Sequence, residues 1–256
     1  QLFNIFTLKW DEEICRAFGI DADNLPEVRD SNSCFGYTDC EGLFARPVPI
    51  HAVMGDSHAA LFGQNCRSDG KTKVTYGTGS SIMMNIGCEP ILSRNGLVTS
   101  LAWGLNGRAE YVLEGNLNYT GAVISWLKDD VKLIGSAAET EALAYEAGKE
   151  DDLYLVPAFT GLGAPYWDSS ARAAMIGMDR TTGKAELTRA ALESIAYQIT
   201  DIVRAMEKDS QKRIEVLRVD GGPTKNRYLM QFQSDIAGSE VAISTIEELS
   251  GTGAAF

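Results

Sequence analysis

Histidine is almost absent from this chain of 256 residues, which holds only His51 and His58. Cysteine is scarce as well: Cys15, Cys34, Cys40, Cys66 and Cys88 make an odd set with no Cys-x-x-Cys pair. Ligands this few and this scattered argue against a Cys/His zinc site. A chain long enough to bury a core needs no disulfide staples, so the cysteines read as free thiols in a reducing cytoplasm. Long apolar runs are missing too. No stretch approaches the ~18 residues of a membrane span, because Arg, Glu and Asp break the longest helical pattern. The opening Gln1-Leu2-Phe3-Asn4 has neither the basic nor the apolar region of a secretory leader. Basic charge is in deficit, with 23 Lys and Arg against 35 Asp and Glu and a net charge of −12. Such a chain repels a phosphate backbone, so nucleic acid is not an expected partner.

What is present is an ordinary globular balance, 45% hydrophobic and 23% charged, enough for one large domain or two modest ones. No internal repeat and no low-complexity linker occurs. An acidic helical stretch lies near Trp10 to Phe18, and Pro47 to Met54 reads as a short buried strand. That strand stops at Gly55-Asp56, and Ser57 to Gln64 has helical apolar spacing. Lys73 to Tyr76 and Ser80 to Ile86 are β-rich runs joined by Gly77-Thr78-Gly79, a hairpin signal. A second hairpin is expected at Asn106-Gly107, between Val98 to Trp103 and Glu110 to Leu113. Helix is expected over 118–132, and strands over Leu153 to Phe159 and Ala173 to Met178. The clearest helix runs from about Lys184 to Lys208, with Leu187, Ala191, Ile195, Ile199, Ile202 and Met206 on one face. Strand Val216 to Val219, helix Arg227 to Ala237 and strand Val241 to Ser244 follow. Hairpins first, then alternating strands and helices, point to a mixed α/β sheet covered by helices. The last residues, Ser250 to Phe256, read as a loop entering a helix left incomplete, which with the missing initiator Met suggests a fragment.

Three glycine-rich turns follow strands, where ligands sit in open α/β sheets. None carries a common nucleotide fingerprint. Gly177 to Ala185 approaches a P-loop but has one residue too many between its glycines and Ala185 where a metal-holding hydroxyl belongs. Gly55-Asp56-Ser57-His58 permits three readings. Ser57 sits as in a hydrolase nucleophile elbow, yet no His follows His58 to complete a triad of that order. Asp56 could be a general base at the sheet edge, or simply a helix N-cap, the commoner role. Gly77-Thr78-Gly79 offers N–H groups and a hydroxyl to a phosphate, or is a plain hairpin turn. Asp220-Gly221-Gly222, followed by Lys225-Asn226, admits a flat ligand or only a tight connection. Tyr166 and Trp167 read as loop anchors, and the acidic run Glu146 to Asp152 as a solvated face.

Five blocks in order carry a resemblance: Gly-Asp-x-x-Ala-Ala-Leu-Phe-Gly-Gln (55–64), Thr-Tyr-Gly-Thr-Gly (75–79), Val-Pro-Ala-Phe-Thr-Gly-Leu-Gly-Ala-Pro-Tyr-Trp-Asp (156–168), Leu-Glu-Ser-Ile-Ala-Tyr-Gln (192–198) and Arg-Val-Asp-Gly-Gly (218–222). Together they resemble the FGGY carbohydrate kinases over nearly the whole chain. The resemblance implies an actin-like ATPase (ribonuclease H-like) fold, a mixed sheet flanked by helices, within a fragment of a two-domain kinase. Residues 1–64 would be the C-terminal part of domain I, on the substrate side, and 65–256 a C-terminally truncated domain II, on the nucleotide side.

By position in the motifs, the resemblance makes Asp56 the catalytic base and places Asp56, Ser57 and Ser81 at the substrate. Gly77 and Thr78 match the second phosphate loop, and Gly121, Ser125, Gly222 and Asn226 the remaining nucleotide contacts. It implies ATP and Mg²⁺ as cofactors, no resident metal ligands, a small sugar or polyol as partner, no membrane, and a cytoplasmic homodimer or homotetramer. The expected activity is ATP-dependent phosphorylation of a hydroxyl of a ketopentose such as xylulose or ribulose, or of glycerol. This chain by itself is expected to be inactive. Family members that phosphorylate glycerol have Gln where Ser57 stands, Phe where Ser81 stands and Gln where Ser125 stands. The first two changes shrink and polarise the substrate pocket. The alternatives carried beside this reading are a serine hydrolase at Ser57 and a non-catalytic nucleotide-binding module.

Overall fold

The structure is a computed structural model that describes residues 2–148 and 152–256, so the middle of the acidic run lies outside the described residues. The chain opens with a two-stranded hairpin, β1 (Phe3–Asn4) and β2 (Lys9–Trp10), and a short helix α1 (Glu12–Ala17). Asp11 caps α1 by accepting the Ile14 N–H at 3.0 Å. Next, β3 (Gly36–Thr38) pairs antiparallel with β4 (Val48–Ile50). The strand expected through Met54 is cut to three residues. Pro49, inside β4, has no N–H to donate, which keeps this pair a small edge ribbon. Helix α2 (Asp56–Gly63) follows at once.

The remainder is built on one sheet. Strands β5 (Thr72–Tyr76), β6 (Ser80–Asn85), β7 (Val98–Leu105) and β8 (Arg108–Leu117) form two consecutive hairpins. Both expected turns are present, and Asn106 and Gly107 take the left-handed conformation, at φ 54° and 78°, that such a turn needs. Helices α3 (Gly121–Ser125) and α4 (Thr140–Glu146) come next, then the pair β9 (Tyr154–Val156) and β10 (Ala174–Ile176). Long helix α5 (Lys184–Ser210) leads to β11 (Val216–Gly221), α6 (Arg227–Ala237), β12 (Glu240–Ile243) and α7 (Leu249–Ala255). The six-stranded order is β12-β11-β5-β6-β8-β7, with β12, β11 and β5 parallel and the others antiparallel.

Register divides the sheet into two unlike faces. Val74, Tyr76, Ile82, Met84, Leu113, Leu217 and Val219 point to one side, where α5 and α6 cover them. Helix α5 contributes Leu192, Ile195, Ile199, Ile202 and Met206, all essentially fully buried. Each such side chain contributes roughly 1.5–3 kcal/mol on leaving water. Lys73, Thr75, Ser81, Met83, Glu114, Arg218 and Asp220 alternate to the other side. There α2 packs, with a smaller apolar cluster of Leu61, Cys66, Met83, Trp103 and Val112.

Three further expectations need correction. The helix over 118–132 is α3 followed by a π-helical turn, Trp126–Asp130. Of the strand over Leu153 to Phe159, only Tyr154–Val156 forms a ladder before Pro157 removes a donor, and Phe159 makes an isolated bridge to Gly161. The final residues are helix, not loop: Glu248 caps α7 by accepting the Gly251 N–H at 3.2 Å, and α7 lies against α2. Among the described residues no helix is long and apolar enough to cross a membrane, and all five cysteines are free thiols.

Candidate functional site

Parallel strands β5 and β11 end side by side, with Tyr76 opposite Gly221. Gly221 has φ +102°, and a Cβ there would stand 1.9 Å from the Tyr76 carbonyl oxygen, so only glycine lets the two strands end together. The turns that follow them, Gly77-Thr78-Gly79 and Gly222 to Lys225, therefore emerge at one edge. The first is tight, with the Gly77 N–H donating to Gly79 O at 2.8 Å. The start of α3 is fastened beneath it. Gly121 N–H donates to Gly77 O at 2.9 Å, Ala122 N–H to Thr78 O at 3.0 Å, and the buried Thr120 hydroxyl to Gly77 O at 3.0 Å. Ser80 donates its hydroxyl to Thr120 at 3.1 Å, which locks the hairpin to the helix start.

Beside this edge opens a cleft of about 680 Å³. Ile124, Leu192, Ile195 and Leu229 give it an apolar floor, Gly121 and Gly222 bare backbone, and Ser125, Ser136, Thr140 and Lys225 a polar rim. That combination suits a flat aromatic ring with a polar tail. Asn226 lines it too, but both ends of its amide are engaged within the protein. Its Oδ1 caps α6 by accepting the Leu229 N–H at 2.9 Å, and its Nδ2 donates to Thr140 Oγ1 at 3.0 Å. Of the residues expected at the nucleotide, the structure thus brings Gly121, Ser125, Gly222 and Asn226 to one cleft, with Gly77 and Thr78 hydrogen-bonded at its edge.

Asp56, Ser57 and Ser81 lie elsewhere, on the polar side of the sheet. Asp56 is the first residue of α2, and its N-cap neighbour Gly55 makes no side-chain cap bond. The Asp56 carboxylate is exposed; one oxygen accepts the adjacent Ser57 N–H at 2.6 Å. Ser81, on β6, sits opposite Thr75 and Asn116. A chain of hydrogen bonds crosses the face between these points. Lys73 Nζ donates to Ser81 Oγ at 3.4 Å and to Thr75 Oγ1 at 3.0 Å. Thr75 donates to Asp220 Oδ1 at 2.9 Å, and Gln64 Nε2 donates to the same oxygen at 2.7 Å. Burial draws the Lys73 ammonium down to about 8, against the pull of Asp220, Glu114 and Asp56. Burial likewise holds His58 below the usual imidazole range, and its Nε2 has no hydrogen-bond partner among the described residues. The Cys66 thiol, buried after α2, is pushed up to about 12 and so stays protonated and inert.

Reading single motifs missed Thr120, Lys73 and the Gln64–Asp220 link. Strand register places Lys73, through the alternation of Lys73 and Thr75 with Val74 and Tyr76, and Asp220, which stands opposite Thr75. Tyr166 and Trp167 anchor their loop as expected, donating to Asp201 Oδ2 at 2.8 Å and Gly96 O at 2.7 Å. Among the described residues no three His, Cys, Asp or Glu side chains gather as a metal site.

Comparison with known proteins finds two family models on the chain. Residues 72–256 match the C-terminal domain of the FGGY family of carbohydrate kinases, and residues 1–63 match its N-terminal domain. The curated glycerol kinases of Natranaerobius thermophilus and Petrotoga mobilis are each 48% identical over all 256 residues. The chain spans about half the length of these curated relatives, 51% of each. Among solved structures, a Plasmodium falciparum glycerol kinase with ADP superposes with a TM-score of 0.92 at 37% identity, over 99% of this chain and 51% of that one. A ligand-bound xylulose kinase from Lactobacillus acidophilus gives 0.88 at 21% identity, over 100% and 52%, a likeness of fold.

Proposed function

Since the chain belongs to the FGGY family of carbohydrate kinases, with their actin-like ATPase fold, we propose that it forms part of an enzyme transferring the γ-phosphoryl group of MgATP to a hydroxyl of a small polyol or sugar. Residues 1–64 would supply the end of the substrate-side domain and 65–256 the nucleotide-side domain. The observation that carries this reading is the meeting of Gly77-Thr78, Gly121 and Gly222 at one sheet edge, beside a cleft of nucleotide size. The adenine ring would lie over Ile124, Leu192, Ile195 and Leu229, with the phosphates toward the N–H and hydroxyl of Thr78 in the Gly77-Thr78 turn.

An alcohol is a weak nucleophile, and Asp56 is the group on the acceptor side able to take its proton. In this scheme the acceptor oxygen forms its bond to the γ-phosphorus as the bond to the ADP oxygen breaks, and the acceptor proton passes to Asp56. Most of the acceleration would come from holding these groups in line and away from water. Nothing favours hydrolysis at Ser57, whose neighbouring imidazole, His58, is partly buried with no bond to its hydroxyl among the described residues.

Glycerol is the acceptor its curated relatives favour. A ketopentose such as xylulose or ribulose is the second reading, favoured by Ser57 and Ser81, which leave the acceptor side polar. The test is ADP release by the full-length protein against glycerol, xylulose, ribulose, gluconate and rhamnulose. Acceptor-dependent release with one of them supports the proposal. Release independent of every acceptor, or none at all, contradicts it.

A further inference from the structure

Lys73 has no relative exposure at all, yet it carries an ammonium group on the middle strand of the sheet. Lysine is almost never this buried without a paired carboxylate. Here the atoms that receive its hydrogen bonds are two hydroxyl oxygens, Thr75 at 3.0 Å and Ser81 at 3.4 Å. Hydroxyls compensate a buried charge poorly, so the arrangement costs stability that a methionine, like the neighbouring Met83, would not. The cost falls at an informative place. From Lys73 the chain of bonds runs one way to Ser81, on the acceptor side, and the other way through Thr75 and Asp220 to Gln64. Gln64 is the buried C-cap residue of α2, the helix whose first residue is Asp56. Lys73 is thus the node through which Ser81 and the base-bearing helix are tied to one strand.

We propose that Lys73 is a positioning residue for the acceptor: its ammonium fixes the Ser81 hydroxyl and, through Thr75, Asp220 and Gln64, the seat of α2. This rests on the phosphotransfer reading above. The charged and titratable groups facing it are Asp220 and Arg218 from β11, Glu114 from β8, Asp56 and His58 from α2, and the Cys66 thiol beyond that helix. Burial outweighs the three carboxylates and leaves the ammonium titrating at about 8. The charge is therefore complete below that pH and lost as pH rises through it.

The experiment measures steady-state kinetics of the full-length protein and its Lys73→Met, Lys73→Arg and Ser81→Ala variants with the preferred acceptor. Lys73→Met is expected to raise the acceptor KM by roughly 10-fold or more, the value of hydrogen bonds from a charged donor. The ATP KM should stay within about two-fold, because the Gly77-Thr78 turn keeps its own bonds to Thr120 and Gly121. Ser81→Ala should cost less in the Lys73→Met background than in wild type. The wild-type acceptor KM should rise as pH passes about 8, and Lys73→Arg, whose charge does not titrate there, should abolish that rise. Should Lys73→Met not fold by circular dichroism, the arginine variant and its pH profile decide the matter. Wild-type kinase activity with an unchanged acceptor KM in Lys73→Met, a parallel rise in both KM values, or a pH rise that persists in Lys73→Arg overturns the proposal alone. Wild type without acceptor-dependent ADP release overturns the phosphotransfer reading and this inference with it.

Discussion

Replacing Gly121 by alanine tests the nucleotide edge with a single methyl group. A Cβ on Gly121 would stand 2.5 Å from Gly77 O and 3.3 Å from Gly77 C, far inside van der Waals contact. Gly121 does not need a positive φ, so the substitution acts by crowding and not by backbone strain. Neither side can yield freely. The helix start is held by Val123 and Ile124, which are buried, and the turn by the Thr120 hydroxyl and the end of β5. Relief must come from prising the Gly77-Thr78 turn from α3, which breaks the Gly121-to-Gly77 hydrogen bond at 2.9 Å and strains that of Ala122 at 3.0 Å. Overpacking of this kind costs about 1–3 kcal/mol. If all of that appears as displacement of the Gly77-Thr78 turn, the ATP KM rises roughly 5- to 140-fold, at 1.4 kcal/mol per decade. Asp56 and Ser81 lie on the other face of the sheet, so the acceptor KM should remain within about two-fold. A coupled ADP-release assay with ATP varied at saturating acceptor, then the reverse, reads both constants. An ATP KM within two-fold of wild type would show that the turn does not hold the nucleotide.

Gly253→Ala should unfold at lower urea concentration, because its Cβ would lie 1.8 Å from Ala59 O and force α7 off α2; the expected loss is ~1–3 kcal/mol or more. Asn226→Ala removes both the α6 cap and the bond to Thr140, lowering unfolding free energy by about 0.5–2 kcal/mol in a thermal melt and loosening the cleft toward ATP. Stability also has a pH signature. Lys73 titrates at about 8 in the fold and at 10.5 when unfolded, so between those values the unfolded chain holds the proton and the native chain does not. Stability therefore rises with pH across that window, by up to ~3 kcal/mol, and the rise disappears in Lys73→Met when denaturation curves are compared from pH 7 to 11.

The elements legible in the sequence were those whose ends carry their own signals. Helix α6 spans the expected residues because Asn226 caps it, its apolar face repeats, and Gly238 closes it in the left-handed conformation at φ 65°. Helix α4 was not foreseen, since seven residues with two buried positions give no stripe to read. The π turn at Trp126–Asp130 keeps the same apolar residues and changes only their hydrogen bonding, which composition does not report. In the site, Asp56, Thr78, Gly121 and Gly222 stood out because turns and glycines announce close backbone approach. Lys73 did not. Within a β-rich run it looks like a strand's solvent-facing residue, and only the pairing of β5 with β11 and β6 shows that both its flanks are covered.

In the proposed reaction Asp56 takes the acceptor proton while the nucleotide binds beside Gly121 and Gly222, on the other side of the sheet. Asp56→Asn in the full-length protein tests it most directly, because the amide keeps the shape of the group and cannot act as the base. Turnover is expected to fall by roughly 10²–10⁴-fold. Mg-ATP affinity by calorimetric titration should stay within about three-fold of wild type, since the cleft beside Gly121 and Gly222 is untouched. Turnover within a few-fold of wild type would contradict it.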